Sequence, residues 1–180
     1  MNLPLNKNPD YFEIFALVPK FHIDMGSLDT NFRDFQRQVH PDKTAHLSDA
    51  ERRLSMQWAT LANEAYQTLK KPIDRASYLL RINGIETHSE GHVVGLSEDF
   101  LMEQMEWREA LQETIENVDI EELDKLERRV KAKLTGQLDR LGNLLDSEQS
   151  FDAAADLVKQ TRFLDRLLAE INNAYELLEN

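Results

Sequence analysis

The chain of 180 residues contains no cysteine. This absence excludes disulfide bridges, thiolate nucleophiles and every metal or iron–sulfur site that depends on cysteine ligands. Glycine and proline are also scarce, with 6 and 5 residues, and no phosphate-binding glycine loop is present. No apolar run approaches the roughly 20 residues that a membrane-spanning helix needs. We therefore expect no membrane segment, and the length is ample for a hydrophobic core.

Basic residues are in the minority, with 21 Lys and Arg against 33 Asp and Glu and a net charge of −12. Nucleic-acid binding is disfavoured because neutralising phosphates requires a basic face. Residues 1–9 have neither a basic segment nor an apolar core, so we expect no signal peptide there. We expect a soluble, cytoplasmic protein.

The acidic excess lies in one half of the chain. Residues 1–83 hold 11 basic and 10 acidic residues, whereas residues 84–180 hold 10 and 23. The stretch 83–95 contains three of the six glycines and little periodicity, which is typical of a connector. The sequence therefore predicts two units with different partners.

Apolar residues recur three and four positions apart through most of the chain, and no segment alternates with period two. The fold class predicted is all-α. The expected helices run over about 10–17, 24–39, 48–71, 74–82, 100–118, 119–145 and 151–178. Ser48 with Glu51 and Asp119 with Glu122 have the spacing of capping boxes. Leu54 and Val118 are expected in the core stripes of their helices.

Two of these helices flank the loop 40–47, and they should pack as an antiparallel pair with the loop exposed at their tip. Pro41 stiffens the loop and Asp42 presents a carboxylate. Arg33, Arg37 and Lys43 lead to it on the solvent side. Such an arrangement suits docking to an acidic surface that contains one cationic target. Ordinary Pro-Asp turn chemistry between helices explains the same residues, and spacing alone does not decide between the two.

The tripeptide His40-Pro41-Asp42, followed by Lys43 and set between two helices, resembles the signature of J-domain co-chaperones. Segments 10–15 and 73–80 support this resemblance at the two ends of the first half. Segments 75–80, 100–106 and 151–156 more specifically resemble HscB, the J-type co-chaperone of iron–sulfur cluster biogenesis. The resemblance extends over residues 10–180. It departs from the family at Val39, where an aromatic residue is often found.

The resemblance implies a J domain at 8–84, a linker at 85–95 and an acidic three-helix bundle at 96–180 that binds a scaffold protein. It implies a loop that engages a dedicated Hsp70 of the HscA type and stimulates its ATP hydrolysis. His40 and Asp42 would be the critical contacts, with Asp42 pairing with an arginine of the chaperone. Pro41 belongs to the same tripeptide, and attraction would come from Arg33, Arg37 and Lys43.

The helix over 100–118 carries apolar residues on a face that its core does not need. Leu101, Met105 and Met102 lie roughly 100–200° around the helix from Phe100, at 100° per residue. The carboxylates on or beside this face belong to Glu106, Glu109 and Glu113. On the last helix, Phe163 lies roughly 90° from the centre of the core stripe. Exposed apolar groups rimmed by charge mark interaction sites, although packing within the protein would explain them equally well.

In HscB proteins, the equivalent positions bind the cluster scaffold, IscU. The resemblance therefore implies a scaffold-binding site on the second half. Its residues would be Leu101, Met102, Met105, Glu106, Glu109, Glu113 and Phe163. Two or three apolar anchors at about 1.5–3 kcal/mol each would support a micromolar complex of about 8 kcal/mol after the cost of association.

Other chemistry finds little support. His88 and His92 stand four residues apart in the connector without a third ligand, and no pair of carboxylates suggests glycosidase chemistry. We therefore expect no enzyme activity, no cofactor and no metal. The expected protein is an adaptor between an IscU-type scaffold and an HscA-type chaperone that assists cluster assembly and transfer. The alternatives are a J protein for general unfolded clients and an enzyme.

Overall fold

The structure is a computed structural model that describes residues 9–40, 48–86 and 97–178. It confirms the all-α prediction, since the described residues contain helices and no strand. The chain divides into two compact units, Met1–Asn83 and Gly84–Asn180. The first contains α1 (Tyr11–Ile14), α2 (Met25–Val39), α3 (Asp49–Lys70) and α4 (Pro72–Ile82). The second contains α5 (Glu98–Glu116), α6 (Ile120–Gly142), a π-helical segment (Asn143–Glu148) and α7 (Phe151–Leu178).

Helices α2 and α3 form the predicted antiparallel hairpin. The Tyr66 hydroxyl donates to Asp29 at 2.8 Å, and further along the pair the Gln36 amide donates to Asn63 at 3.2 Å. Partners of rising number on α2 therefore meet partners of falling number on α3. The Phe32 ring stacks on Tyr66 with centroids 4.0 Å apart.

Local sequence signals fix the ends of these helices. Asp24 caps α2 through the amides of Gly26 and Ser27. The capping box of Ser48 and Glu51 at the start of α3 is confirmed, with each side chain accepting from the other's backbone amide. Pro72 separates α3 from α4 and occupies the first turn of α4, where a missing N–H costs nothing.

A buried arginine on α4 connects two other parts of the first unit. Arg75 is only 6% exposed, and its guanidinium donates to the backbone carbonyl of Phe21 at 2.7 Å and to that of Leu69. The charge also lies over the Phe21 ring, 5.2 Å from its centroid. Arg75 thus ties the segment before α2 to the end of α3.

An aromatic pair joins α1 to α4. The Tyr11 and Tyr78 rings stack with centroids 4.2 Å apart, and the Tyr78 hydroxyl accepts from the Tyr11 amide at 2.8 Å. The Tyr11 hydroxyl donates to the Glu64 carboxylate at 2.5 Å. Burial and this hydrogen bond raise the pKa of Tyr11 to about 12.

The second unit is a three-helix bundle. Trp107 on α5 contacts Arg129 on α6, and Tyr175 near the end of α7 donates to Asp124 near the start of α6 at 2.5 Å. The buried core comes from all three helices and consists of Trp107, Leu111, Leu123, Leu126, Val130, Leu164, Leu167, Ile171 and Ala174.

Several expectations about local structure were wrong. The first helix spans 11–14 instead of 10–17. Val118 is 61% exposed because α5 ends at Glu116 and Val118 adopts a φ of 53°, and Leu54 is 46% exposed near the start of α3. At α6, Asp119 accepts from the Glu122 amide at 3.0 Å, but the Glu122 carboxylate pairs with Lys125 instead of completing a capping box.

Helix α6 ends at Gly142, earlier than the expected end near Leu145. Beyond Gly142 the chain continues as a π-helical segment, in which Leu144 and Leu145 remain buried. Gln149 then takes a left-handed conformation with a φ of 52°, and the chain turns into α7. Among the described residues, no helix is long and apolar enough to cross a membrane.

Candidate interaction surfaces

The first candidate surface begins at the C-terminal end of α2. Val39 is buried, and its carbonyl accepts a hydrogen bond from the Ser55 hydroxyl of α3 at 3.1 Å. His40 follows in an extended conformation as the C-cap and is exposed. The rest of the predicted motif, Pro41, Asp42 and Lys43, lies outside the described residues. Ser55 therefore secures the point from which the loop departs, a role that the sequence alone does not indicate.

The two arginines of α2 that were predicted to attract an acidic surface are exposed, but acidic residues stand beside them. Arg33 and Arg37 both point to solvent, four residues apart on one face. An Arg37 guanidinium nitrogen lies 2.8 Å from the Asp34 carboxylate, and Arg33 Nε donates to the Asp29 carbonyl at 3.1 Å. Exposed pairs of this kind contribute little to stability, so both arginines stay available to an acidic partner.

The second candidate surface is the outer face of α5, which we call the methionine patch: Met102 and Met105 with the carboxylates of Glu106, Glu109 and Glu113. Met102 is 62% exposed and Met105 is 66% exposed, and the three glutamates are exposed as well. Packing within the bundle therefore does not account for these two methionines. Leu101 is half-buried at the edge of the patch.

Phe163 reaches α5 from α7 and is more buried than its position on the last helix suggested. Its ring meets Phe100 edge-on with centroids 5.9 Å apart and packs against the bundle core. The Arg108 guanidinium carbon lies 5.9 Å from the ring centroid. Phe163 therefore has a structural role in the bundle in addition to the role that the resemblance implies.

A groove of about 480 Å³ opens beside the methionine patch. It shares Met102 and Glu106 with the patch, and its other lining residues are Ser97, Asp99, Phe100, Glu103 and Gln160. Glu103 forms an ion pair with Lys133 of α6, and the Gln160 amide oxygen accepts from Gln137 at 3.4 Å. Sequence reasoning missed Asp99, Glu103 and Gln160 because the groove depends on how α5, α6 and α7 pack.

In the described part of the chain, no three His, Asp or Glu side chains lie close enough together to hold a metal ion. His88 and His92 fall outside the described residues. The arrangement of both surfaces is suited to binding proteins through charge and exposed apolar groups.

Known proteins are similar to nearly the whole length of this chain. The family model of the HSCB C-terminal oligomerisation domain matches residues 96–172. A co-chaperone protein HscB homolog from Aromatoleum aromaticum is 40% identical over 98% of this chain and 99% of its own.

Two solved structures are similar in fold as well as in sequence. Chaperone HscB from Vibrio cholerae matches with a TM-score of 0.83 and 36% identity, over 94% of this chain and 99% of its own. The human co-chaperone protein HscB matches with a TM-score of 0.85 and 29% identity, over 93% of this chain and 82% of its own.

The fold and the motif are those of a J-domain co-chaperone. The first unit contains the antiparallel hairpin with a His-Pro-Asp tripeptide after α2, and the second unit is a helical bundle. Within that class, the chain belongs to the HscB co-chaperone family. Membership implies a role in iron–sulfur cluster assembly together with an Hsp70 chaperone.

Proposed function

We propose that this chain is an adaptor that captures an IscU-type scaffold and delivers it to a dedicated Hsp70 of the HscA type. Residues 8–84 act as the J domain, 85–95 as the linker and 96–180 as the scaffold-binding domain. The observation that carries the proposal is the exposure of Met102 and Met105 among carboxylates in a chain of the HscB family.

The scaffold binds the methionine patch, with Leu101 and Phe163 at its edges. Methionine side chains are flexible and polarisable, so they adapt to a partner surface without a fixed shape. Glu106, Glu109 and Glu113 supply the charge that steers a basic partner and limits the choice of partner. A complex of micromolar affinity is reversible, as delivery requires.

The chaperone binds the loop at the end of α2. Asp42 and His40 make the critical contacts with the chaperone, and Asp42 pairs with an arginine there. Pro41 belongs to the same tripeptide, and Arg33, Arg37 and Lys43 attract an acidic surface. Binding both partners at once raises the concentration of scaffold near the chaperone. Stimulated ATP hydrolysis then traps the scaffold and assists cluster transfer. The chain performs no catalysis itself and acts in the cytoplasm.

Calorimetric titration with a purified IscU-type scaffold tests this function, and an unfolded model protein serves as the competing client. We expect saturable one-to-one binding of the scaffold in the micromolar range and no comparable heat with the unfolded protein. Equal binding of both would indicate a general J-domain co-chaperone instead, and turnover of a substrate by the isolated chain would indicate an enzyme.

A further inference from the structure

We propose that the groove beside the methionine patch is a pocket for a basic side chain, lysine or arginine, of the scaffold protein. This inference rests on the proposed function and adds Asp99, Glu103 and Gln160 to the scaffold-binding residues that the resemblance implies.

The groove has the two chemical regions that a basic side chain requires. Phe100, which is 5% exposed, and the exposed Met102 provide apolar surface for the aliphatic stem. Carboxylates of Asp99, Glu103 and Glu106 line the same groove, and none of its lining residues is basic. Lysine and arginine bury their stems along apolar surface while the charged head stays near polar groups. The groove of about 480 Å³ is open to solvent, so the charged head of such a side chain keeps part of its hydration.

The charge that remains after internal pairing is still negative. Glu103 is paired with Lys133, so the two charges largely cancel. Asp99 and Glu106 are exposed and have no ion-pair partner among the residues that the structure describes. The N-terminus of α5, capped by Ser97, adds a positive potential of about half a charge. Two unpaired carboxylates outweigh it.

The groove is continuous with the methionine patch because Met102 and Glu106 belong to both. A scaffold segment that covers the methionines therefore passes the mouth of the groove. The Gln160 amide oxygen is occupied by Gln137 at 3.4 Å, which leaves the Gln160 amide nitrogen to donate to a carbonyl of that segment. The groove then binds a basic side chain of the partner, and the methionine patch binds an apolar surface of the same partner.

Charge reversal in the full chain tests the pocket by calorimetric titration with the purified IscU-type scaffold. Asp99→Lys should weaken binding at least about tenfold at low salt, and Asp99→Asn about threefold. The Asp99→Asn effect should shrink at 0.5 M salt, where exposed charges are screened within a few ångströms. Asp152→Lys is the matched control, because Asp152 is the exposed second residue of α7 and does not line the groove.

The control variant should bind within twofold of the wild type, and circular dichroism should show equal helicity in all variants. If Asp99→Lys binds no more weakly than Asp152→Lys while Met102→Ala/Met105→Ala loses affinity, the basic-side-chain pocket is wrong and the proposed function stands. If all four variants bind like the wild type, the scaffold does not use α5 and both proposals fail.

Discussion

The two units differ in what their exposed helices present to solvent. On α2 of the first unit, Arg37 is matched by Asp34 one turn away, so the helix face is almost balanced in charge. On α5 of the second unit, exposed methionines stand among Glu106, Glu109 and Glu113. We therefore expect the face of α2 to contribute only weak attraction to a partner, and the apolar face of α5, with its acidic neighbours, to contribute both affinity and specificity.

The interactions that stabilise each unit differ as well. Both units have a buried apolar core. In the first unit the buried guanidinium of Arg75 and the hydroxyl of Tyr11 add long-range hydrogen bonds to that core, whereas the core of the second unit is shared among α5, α6 and α7. The chain offers one tryptophan in each unit, Trp58 and Trp107, so tryptophan fluorescence with Trp58→Phe or Trp107→Phe as background distinguishes their unfolding.

The largest expected effect comes from Asp42→Asn in the loop. It removes the carboxylate proposed to pair with the chaperone's arginine, so stimulation of the Hsp70 ATPase should fall to the basal rate. Helicity and scaffold binding should be unchanged. Asp49→Asn, which alters an exposed carboxylate at the first residue of α3, serves as the control. Full stimulation by Asp42→Asn in a steady-state ATPase assay would remove the loop from the mechanism.

The next effect concerns the buried arginine of the first unit. Arg75→Met leaves the carbonyls of Phe21 and Leu69 without their donor, and each unsatisfied buried group costs about 1–3 kcal/mol. We expect the first unit to lose about 3 kcal/mol in urea unfolding followed by Trp58 fluorescence. Arg81→Met, at an exposed arginine of the same unit, is the control and should shift the midpoint much less. An unchanged midpoint for Arg75→Met would contradict the structural role of Arg75.

A smaller effect is expected at the scaffold-binding surface. Alanine at Met102, Met105 and Phe163 together should weaken scaffold binding about tenfold or more, which corresponds to at least about 1.4 kcal/mol. Because Phe163 packs on Phe100, the double variant Met102→Ala/Met105→Ala separates binding from bundle stability. Leu177→Ala, at a side chain that is 71% exposed on the same unit, is the control. Wild-type calorimetric affinity in the double variant would exclude the patch.

The smallest effect is a change in pH dependence. The folded state keeps the Tyr11 proton up to a pKa of about 12, while the unfolded chain loses it near 10. The Tyr11 contribution is therefore complete below pH 10 and declines between pH 10 and 12. Tyr11→Phe should cost the first unit about 1 kcal/mol at pH 7 and reduce its loss of stability above pH 10. An unchanged pH profile in urea titrations of Trp58 fluorescence would contradict this assignment.

Much of the fold could be predicted from signals within single helices. The errors concern the ends of helices and the contacts between helices. The cap at Ser48 and the spacing of Leu28, Phe35 and Val39 predicted their helices because these features act within one helix. Val118 was assigned to the core because the periodicity continued past the point where α5 ends. Helix geometry placed Met102 outside the core stripe of α5 but left open whether it packs elsewhere in the protein; the structure shows it 62% exposed. The groove could not be predicted, because Gln160 and Phe100 meet only when α7 packs on α5.

The most direct test of the central claim is the ATPase rate of an HscA-type Hsp70 measured with limiting co-chaperone, in the presence and absence of an IscU-type scaffold. We predict that Met102→Ala/Met105→Ala stimulates the chaperone like the wild type when scaffold is absent and loses the additional stimulation that scaffold gives the wild type. Equal additional stimulation by the variant and the wild type would contradict delivery of the scaffold through α5.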